Sequence, residues 1–507
     1  MASEALDEGR AKLSFFSGLM GKQGSGDEIG TEREPLVGEE RSQESYSIGA
    51  AILPFLFPAL GGLLYGYDIG ATSGATISLQ SLTLSGTTWY NLSSVEIGLV
   101  VSGSLYGALI GSALAFTVAD FLGRRRELIV SSMLYFLGAL LTALAPNFPI
   151  MVLGRFVFGA GIGLAMHAAP MYIAETAPAQ IRGTLISLKE FFIVIGMLFG
   201  YITGSLFVDV VAGWRYMYAT SAPVCVIMAF GMWWLPPSPR WVLLCTIQGK
   251  GNLPEAKHLA ICCLCRLRGQ VNEGSASDQV DAILDELAST SEEKEASFFE
   301  IFQGKCLKAL VIGAGLVFFQ QITGQPSVLY YAATILQSAG FSAAADATRV
   351  SVLLGILKLI MTGIAVLVVD KIGRRPLLIG GVSGITVSLF LLSSYYMLFK
   401  GSAFVAVIAL LLYVGCYQLS FGPIGWLMIS EIFPLRLRGR GLSIAVLVNF
   451  ASNALVTFAF SPIGDLVGTG VLFAGFGILA LLSLLFIFFF IPETKGLTLE
   501  EIEAKIL

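Results

Sequence analysis

The sequence predicts an all-α membrane protein, with twelve transmembrane helices arranged as two pseudo-symmetric six-helix halves. Three observations carry that prediction. Of 507 residues, 55% are hydrophobic and only 13% charged, against about 25% charged in soluble domains, and the mean hydropathy is +0.78. The apolar residues gather into twelve blocks, each close to the roughly 20 residues a helix needs to cross about 30 Å of hydrocarbon. Charged motifs that follow the second and fourth blocks return after the eighth and tenth. Such a composition excludes a soluble enzyme. The net charge of −4 shows no basic excess of the kind that marks nucleic-acid binding. Seven cysteines in a chain of this length make no disulfide framework. No phosphate-cradling G-x-x-x-x-G-K-[ST] loop occurs, which argues against a nucleotide-driven pump.

Residues 1–47 form a polar tail without periodicity, too poor in apolar surface to offset the entropy of ordering, so disorder is expected there. The tail opens with Glu4, Asp7 and Glu8 and has no apolar core near its start, unlike a cleavable secretory signal. Span one is then the uncleaved insertion signal. Within the tail, Glu32 to Val37 (Glu-Arg-Glu-Pro-Leu-Val) resembles the acidic dileucine-type signal that sorts membrane proteins to vacuoles and lysosomes, with Val in the second apolar position. It implies a sorting adaptor as partner; a plain solvated charge run is the other reading.

The N-terminal bundle, residues 48–244, holds apolar blocks near 49–72, 97–118, 128–146, 150–172, 186–206 and 217–235. The C-terminal bundle, residues 309–492, holds blocks near 309–333, 350–369, 376–397, 403–428, 441–462 and 469–491. Between them, residues 245–308 are rich in Lys, Arg, Glu and Asp, with helical apolar spacing from Val280 to Leu287, and read as an extramembrane linker with short helices. Residues 493–507 form a C-terminal tail. The tail, the linker, the C-terminus and the loops after even-numbered spans hold most of the Lys and Arg; the opposite loops hold little beyond Arg215, Arg349 and Lys400. The positive-inside rule therefore places both termini and the linker in the cytosol. The one N-x-S/T sequon, Asn91-Leu92-Ser93, falls in the first non-cytosolic loop, where glycosylation is topologically open to it.

The halves repeat each other's chemistry. Asp120-Phe121-Leu122-Gly123-Arg124-Arg125 after span two matches Asp370-Lys371-Ile372-Gly373-Arg374-Arg375 after span eight. Glu175-x-x-Pro178-x-x-x-Arg182-Gly183 after span four matches Glu431-x-x-Pro434-x-x-x-Arg438-Gly439 after span ten, and the Pro236 run matches Pro492-Glu493-Thr494. Two repeated bundles flanking a cavity are the architecture of alternating-access transporters. Asp120 and Arg124, four apart, pair if that segment is helical. Glu175 with Arg182, and Glu431 with Arg438, lie at helix ends where they can tie the halves together while the cytosolic side is shut. The eight charges thus make a candidate cytosolic gate; simple topogenic anchoring is the other reading.

Taken together, these paired motifs, the run Gly154 to Gly163, Gln320-Gln321-x-x-Gly324, Gly422-Pro423-x-x-Trp426 and the terminal Pro492-Glu493-Thr494-Lys495-Gly496 resemble the sugar porter family of the major facilitator superfamily, from about Ser47 to Ile506. The likeness is strongest to the plant vacuolar glucose transporter and xylose-proton-symporter-like group. It implies the major facilitator fold, a monosaccharide substrate (glucose or another hexose, or xylose), protons as co-substrate and a vacuolar membrane, with the plasma membrane or another endomembrane as the alternative. A facilitative uniporter, a polyol transporter and a non-transporting sugar sensor stay open beside it. No cofactor or metal is expected.

Ionisable residues inside a membrane point to function. Asp68 in span one and Arg155 in span four lie at similar depth from the non-cytosolic side and are placed to pair. Desolvation favours a neutral carboxyl and a nearby Arg favours a charged one, so such a pair ties proton binding to a conformational switch. In the resembling family the proton-coupled members carry an Asp and an Arg at the positions of Asp68 and Arg155. A static ion pair is the alternative. A sugar offers hydroxyls that donate and accept, which suit carboxamides, and an apolar face, which suits an aromatic ring. By resemblance Gln320, Gln321, Asn449, Asn453 and Trp426 line the sugar site. Glycine and proline beside Gln320, Gln321 and Trp426 predict broken helices there, tolerated at a cavity rather than against lipid.

Some positions depart from the family pattern. Glu190 stands where Gln is common and is read as a sugar contact that tunes the pH response. Met197, Gln325-Pro326, Phe450 and Pro237 also depart from it. His167 reads as a packing residue, with a proton relay as the other reading, and Lys358 as a snorkelling or paired cation. Cys262, Cys263 and Cys265 lack a second ligand cluster for zinc.

Overall fold

The computed structural model describes residues 48–178, 181–247, 252–268, 273–292, 302, 304–341, 343–398, 403–433 and 438–495. The tail with its Glu32 to Val37 motif and residues 496–507 lie outside the described residues, as do the side chains of Asp120, Arg182, Asp370 and Arg438.

Every regular element among the described residues is helical. Span one is Ile48–Gln80, span two Ser94–Leu122, span three Arg124–Ala143, span four Phe148–Thr176 and span five Arg182–Phe207. Span six is built from Gly213–Ala219 and Ala222–Trp234. Three polar helices follow, Pro239–Ile247, Leu253–Arg268 and Glu273–Glu292. Span seven comes in three pieces, Gly304–Ile322, Gln325–Tyr330 and Ala332–Ser338. Spans eight and nine are Ala344–Ile372 and Arg374–Leu398; span ten is Ala403–Leu419 with Phe421–Ile432; spans eleven and twelve are Arg438–Val467 and Thr469–Phe490. Eleven segments meet the length and apolarity needed to cross a bilayer, and the 33-residue helix Ile48–Gln80 precedes them. The Val280 to Leu287 periodicity lies inside Glu273–Glu292, while helix Pro239–Ile247 runs across the boundary expected at residue 245.

Local chemistry explains the helix ends. Ser93 and Glu96 form a reciprocal cap at the start of span two: Ser93 N donates to Glu96 Oε2 at 2.8 Å, and Glu96 N donates to Ser93 Oγ at 3.3 Å. Asn147 caps span four by accepting from Ile150 N at 3.1 Å, ahead of a proline in the first turn. Within the bilayer, where apolar burial from lipid gives little, small residues let helices approach closely. Gly66 and Gly70 of span one face the backbone of span five, where a Cβ would meet Ile193 O at 1.8 Å and Met197 O at 2.3 Å.

The two halves meet through spans two and eleven and through spans five and eight. Their hydrogen bonds lie away from the arginine-rich loops, at what is called here the opposite end. Ala333 N donates to Ser73 Oγ at 3.0 Å, and the Tyr201 hydroxyl donates to Leu329 O at 2.8 Å. Tyr106 packs edge-on against Phe458 at 6.4 Å.

Candidate functional site

Asp68 and Arg155 are joined in the N-terminal half. Arg155 donates through Nη1 to Asp68 Oδ1 and through Nη2 to Oδ2 at 3.1 Å, and the two side chains are 1% and 2% exposed. Ser104 of span two donates to Asp68 Oδ2 at 2.8 Å and accepts from Arg155 Nη2 at 3.0 Å. Arg155 Nε donates to Val100 O at 2.9 Å, and the guanidinium lies 5.2 Å from the centre of the Tyr218 ring. Three helices and an aromatic face therefore hold one ion pair in a dry site, where its charges are compensated only by each other and by fixed dipoles. Gly103 makes room for it, since a Cβ there would come within 3.0 Å of Arg155 Cβ.

The carboxamides gather in the C-terminal half. Gln321 Nε2 donates to Asn449 Oδ1 at 2.6 Å, joining spans seven and eleven. Gln320 Nε2 donates to Phe421 O at 2.9 Å, while Gln320 Oε1 is buried without a hydrogen-bond partner. Asn453 Oδ1 accepts from Thr457 Oγ1 at 3.2 Å, and its side chain also interacts with the Tyr65 hydroxyl of span one. Trp426 is partly buried and packs against the hydrophobic core of the C-terminal half. Both expected breaks are present. Span seven breaks at Gly324, with φ 90, and span ten breaks at Ser420, directly before Gly422 and Pro423. At these breaks backbone groups leave the helical ladder, which a membrane permits only away from lipid.

A family model described as "Sugar (and other) transporter" matches residues 55–506. The chain belongs to the sugar transporter family. It is 69% identical over 504 residues to the D-xylose-proton symporter-like 2 protein of Arabidopsis thaliana, covering 99% of this chain and 100% of that one. Among solved structures it is similar to the xylose transporter XylE from E. coli in a partially occluded inward open conformation, with TM-score 0.73 and 29% identity over 89% of this chain and 100% of that one. It is also similar to that proton:xylose symporter bound to 6-bromo-6-deoxy-D-glucose, with TM-score 0.71 and 31% identity over 91% of this chain and 100% of that one. As a sugar porter of the major facilitator superfamily it is a multi-pass membrane transport protein and not an enzyme.

At the arginine-rich end of this sugar transporter the expected pairings are redrawn. Asp120 and Arg124 do not share a helix: Gly123, with φ 78, breaks the chain between spans two and three. Arg124 Nε instead meets Glu175 Oε1 at 3.2 Å. Arg374 Nη2 meets Glu431 Oε1 at the same 3.2 Å in the other half. Among the described residues each of these two carboxylates is paired within its own half, because the turn after each Gly aims the arginine at the end of the neighbouring span. Arg182 and Arg438 begin the next helices, their side chains outside the description.

Glu190 is 48% exposed and sits 3.2 Å from Lys189, which is buried. Lys358 of span eight is buried at 8% exposure, with Glu190 as the charged group acting on it across the span five and span eight contact. In the helix Leu253–Arg268, Cys263 is buried, and burial pushes its thiol up to about 11, while Cys262 is exposed. Sequence reasoning missed Tyr330 of span seven, whose buried hydroxyl lies in the field of Asp68 and Arg155 and beside Ser104 of the other half. Ser104 was missed too, since a serine in an apolar span carries no signal of its partner. Glu127 of span three is fully buried beside His167, and only the fold reveals that contact.

Proposed function

We propose that the chain carries a monosaccharide across its membrane together with protons, by alternating access. The sugar, glucose or another hexose or xylose, lies between the Gln320, Gln321, Asn449 and Asn453 carboxamides with Trp426 against its apolar face, and Glu190 adds an acidic contact near the same cavity. Asp68 is the proton site. Its carboxylate is held by Arg155 in this conformation and takes a proton when the rocking of the halves separates them, because a lone carboxylate in a dry site favours the neutral form. The halves touch at the opposite end and pair their charges internally at the arginine-rich end, which supports a conformation open toward the latter. The gate charges then exchange partners across the halves as that side closes. The excess of Lys and Arg supports a cytosolic placement of the arginine-rich end, and the Glu32 to Val37 motif supports delivery to the vacuolar membrane by a sorting adaptor.

The observation that carries this reading is the buried Asp68–Arg155 pair in one half facing a carboxamide cluster in the other, with Tyr330 between them. The test is reconstitution into proteoliposomes with an imposed pH step, following labelled glucose and xylose together with internal pH. Sugar accumulation driven by the gradient, lost in Asp68→Asn while gradient-free exchange persists, is the expected result. Flux indifferent to the gradient in both proteins leaves a uniporter, and no flux of any sugar ends the reading.

A further inference from the structure

A second intramembrane pair lies outside the transport chemistry described above. His167 Nδ1 of span four is 3.0 Å from Glu127 Oε1 of span three, with side chains 16% and 0% exposed. The other carboxyl oxygen, Glu127 Oε2, is buried and has no hydrogen-bond partner. With one proton between them the two groups are neutral as a pair, whichever atom carries it. Removing that proton leaves the pair with a net negative charge, and adding a second leaves it with a net positive one; burial penalises either.

The neighbouring charged and titratable groups are already committed. Arg124, one turn nearer the arginine-rich end on span three, holds Glu175 of span four at 3.2 Å. Arg125 donates to Met232 O at 3.1 Å and to Trp233 O on span six. Deeper on span three, the Tyr135 hydroxyl donates to Gly61 O of span one at 3.0 Å, and on span four the Tyr172 hydroxyl donates to Pro236 O at 2.8 Å. Span one otherwise brings Asp68, held by Arg155, and Tyr65; span six brings the buried Cys225 thiol; span five brings Lys189, beside Glu190. Span two carries Asp120 two residues before its end, with its side chain outside the described residues. The pair thus sits one layer beneath the Arg124–Glu175 bridge and joins the same two helices. The matching positions of the other half, counted from Arg374 and from Glu431, are Leu377 and Pro423. Only the N-terminal half has this pair.

We infer that Glu127 and His167 form a second proton-binding site, reached from the arginine-rich end, that sets how firmly spans three and four are braced and thereby biases the exchange between conformations. Its proton is not the transported one, since the Asp68 site is separate and fully enclosed by its own partners. A gain or loss of charge here acts differently on two states only if the brace differs between them, and an imidazole is the group that changes charge near physiological pH. The consequence for transport rests on the proposed function; the proton site itself does not.

The chain has two histidines, His167 and His258, so isotope-labelled imidazole resonances of the full-length protein in lipid nanodiscs resolve both, and His258→Gln assigns them. The expected result is a His167 titration whose midpoint moves by about one pH unit or more in Glu127→Gln. Should that variant fail to fold, Glu127→Asp, which draws the carboxyl away from the ring, is expected to move it in the same sense. Gradient-free sugar exchange, measured while pH is varied on the arginine-rich side only, is expected to lose its pH step in His167→Gln and to keep it in Asp68→Asn. A His167 midpoint indifferent to Glu127, or an exchange profile unchanged in His167→Gln, overturns the inference. If no sugar is carried at all, the transport reading fails and the imidazole titration alone decides the proton site.

Discussion

Where spans three and nine begin, the two halves solve one problem in two ways. Both place an arginine after a glycine turn and pair it with a glutamate 3.2 Å away, Arg124 with Glu175 and Arg374 with Glu431. In the C-terminal half, Glu493 adds a carboxylate cap, accepting from Arg374 N at 3.1 Å and Arg375 N at 3.0 Å. Thr494 completes the knot by donating to Glu431 Oε2 at 2.6 Å. In the N-terminal half Pro237 stands where the repeat would place that glutamate, span three has no side-chain cap, and the Trp241 ring lies over Gly123. The same division runs deeper. Arg155 corresponds to Leu411 in the repeat, so the half that holds the ion pairs lacks the carboxamide cluster, and the half with the carboxamides has no ion pair at that depth. The repeat keeps the arginine–glutamate brace in both halves, while the buried Asp68–Arg155 pair lies in one and the carboxamide cluster in the other.

The sharpest way to break that comparison is at the ion pair. Asp68→Asn leaves Arg155 charged and buried, a change expected to cost about 3–5 kcal/mol, visible as a large drop in thermal unfolding temperature in detergent along with the loss of gradient-driven uptake. A fully stable variant would mean that the site is wetter than its geometry implies. Next comes the carboxamide cluster. Gln320→Ala and Gln321→Ala are each expected to weaken sugar binding by about 1–3 kcal/mol, read by ligand-induced tryptophan fluorescence or scintillation proximity. Both variants should also destabilise the empty protein, since Gln321→Ala strands Asn449 Oδ1 and Gln320→Ala strands Phe421 O beside the break of span ten. An empty protein of unchanged stability in either case would mean that the lost hydrogen bond is replaced. The smallest effects belong to the loop ends. Glu493→Ala frees four backbone N–H groups, those of Arg374, Arg375, Thr494 and Lys495, and is expected to cost about 1–2 kcal/mol, while Pro237→Ala, at the matching position, should change stability by under about 0.5 kcal/mol. Comparable losses in a side-by-side melting experiment would mean that the N-terminal turn depends on Pro237 in a way its contacts do not reveal.

Hydropathy is a property of the chain read in order, so the spans, their number and the duplicated loops were legible without a structure: burial in lipid forces each apolar run to close its own hydrogen bonds as a helix. Broken helices at Gly324 and before Gly422 were legible for the same local reason, because glycine and proline act on their own backbone. The polar linker was visible as composition, though its helices do not start where composition changes.

Partners were another matter. Asp68 and Arg155 were legible as candidates because charge in a membrane is rare, yet the Ser104, Tyr218 and Tyr330 groups around them belong to other spans and to ordinary residue types. Arg124 follows Asp120 by four residues, but a glycine with positive φ ends the helix between them, and Arg124 meets Glu175, 51 positions away. His167 looked like packing until span three brought Glu127 to it from 40 positions away. The order of residues thus determined which segments cross the membrane and which groups are costly to bury there. Only the packing of helices decided which of those groups meet, because ion pairs and hydrogen bonds act over a few ångströms, and that distance is set by the close approach of helices that the sequence does not order in space.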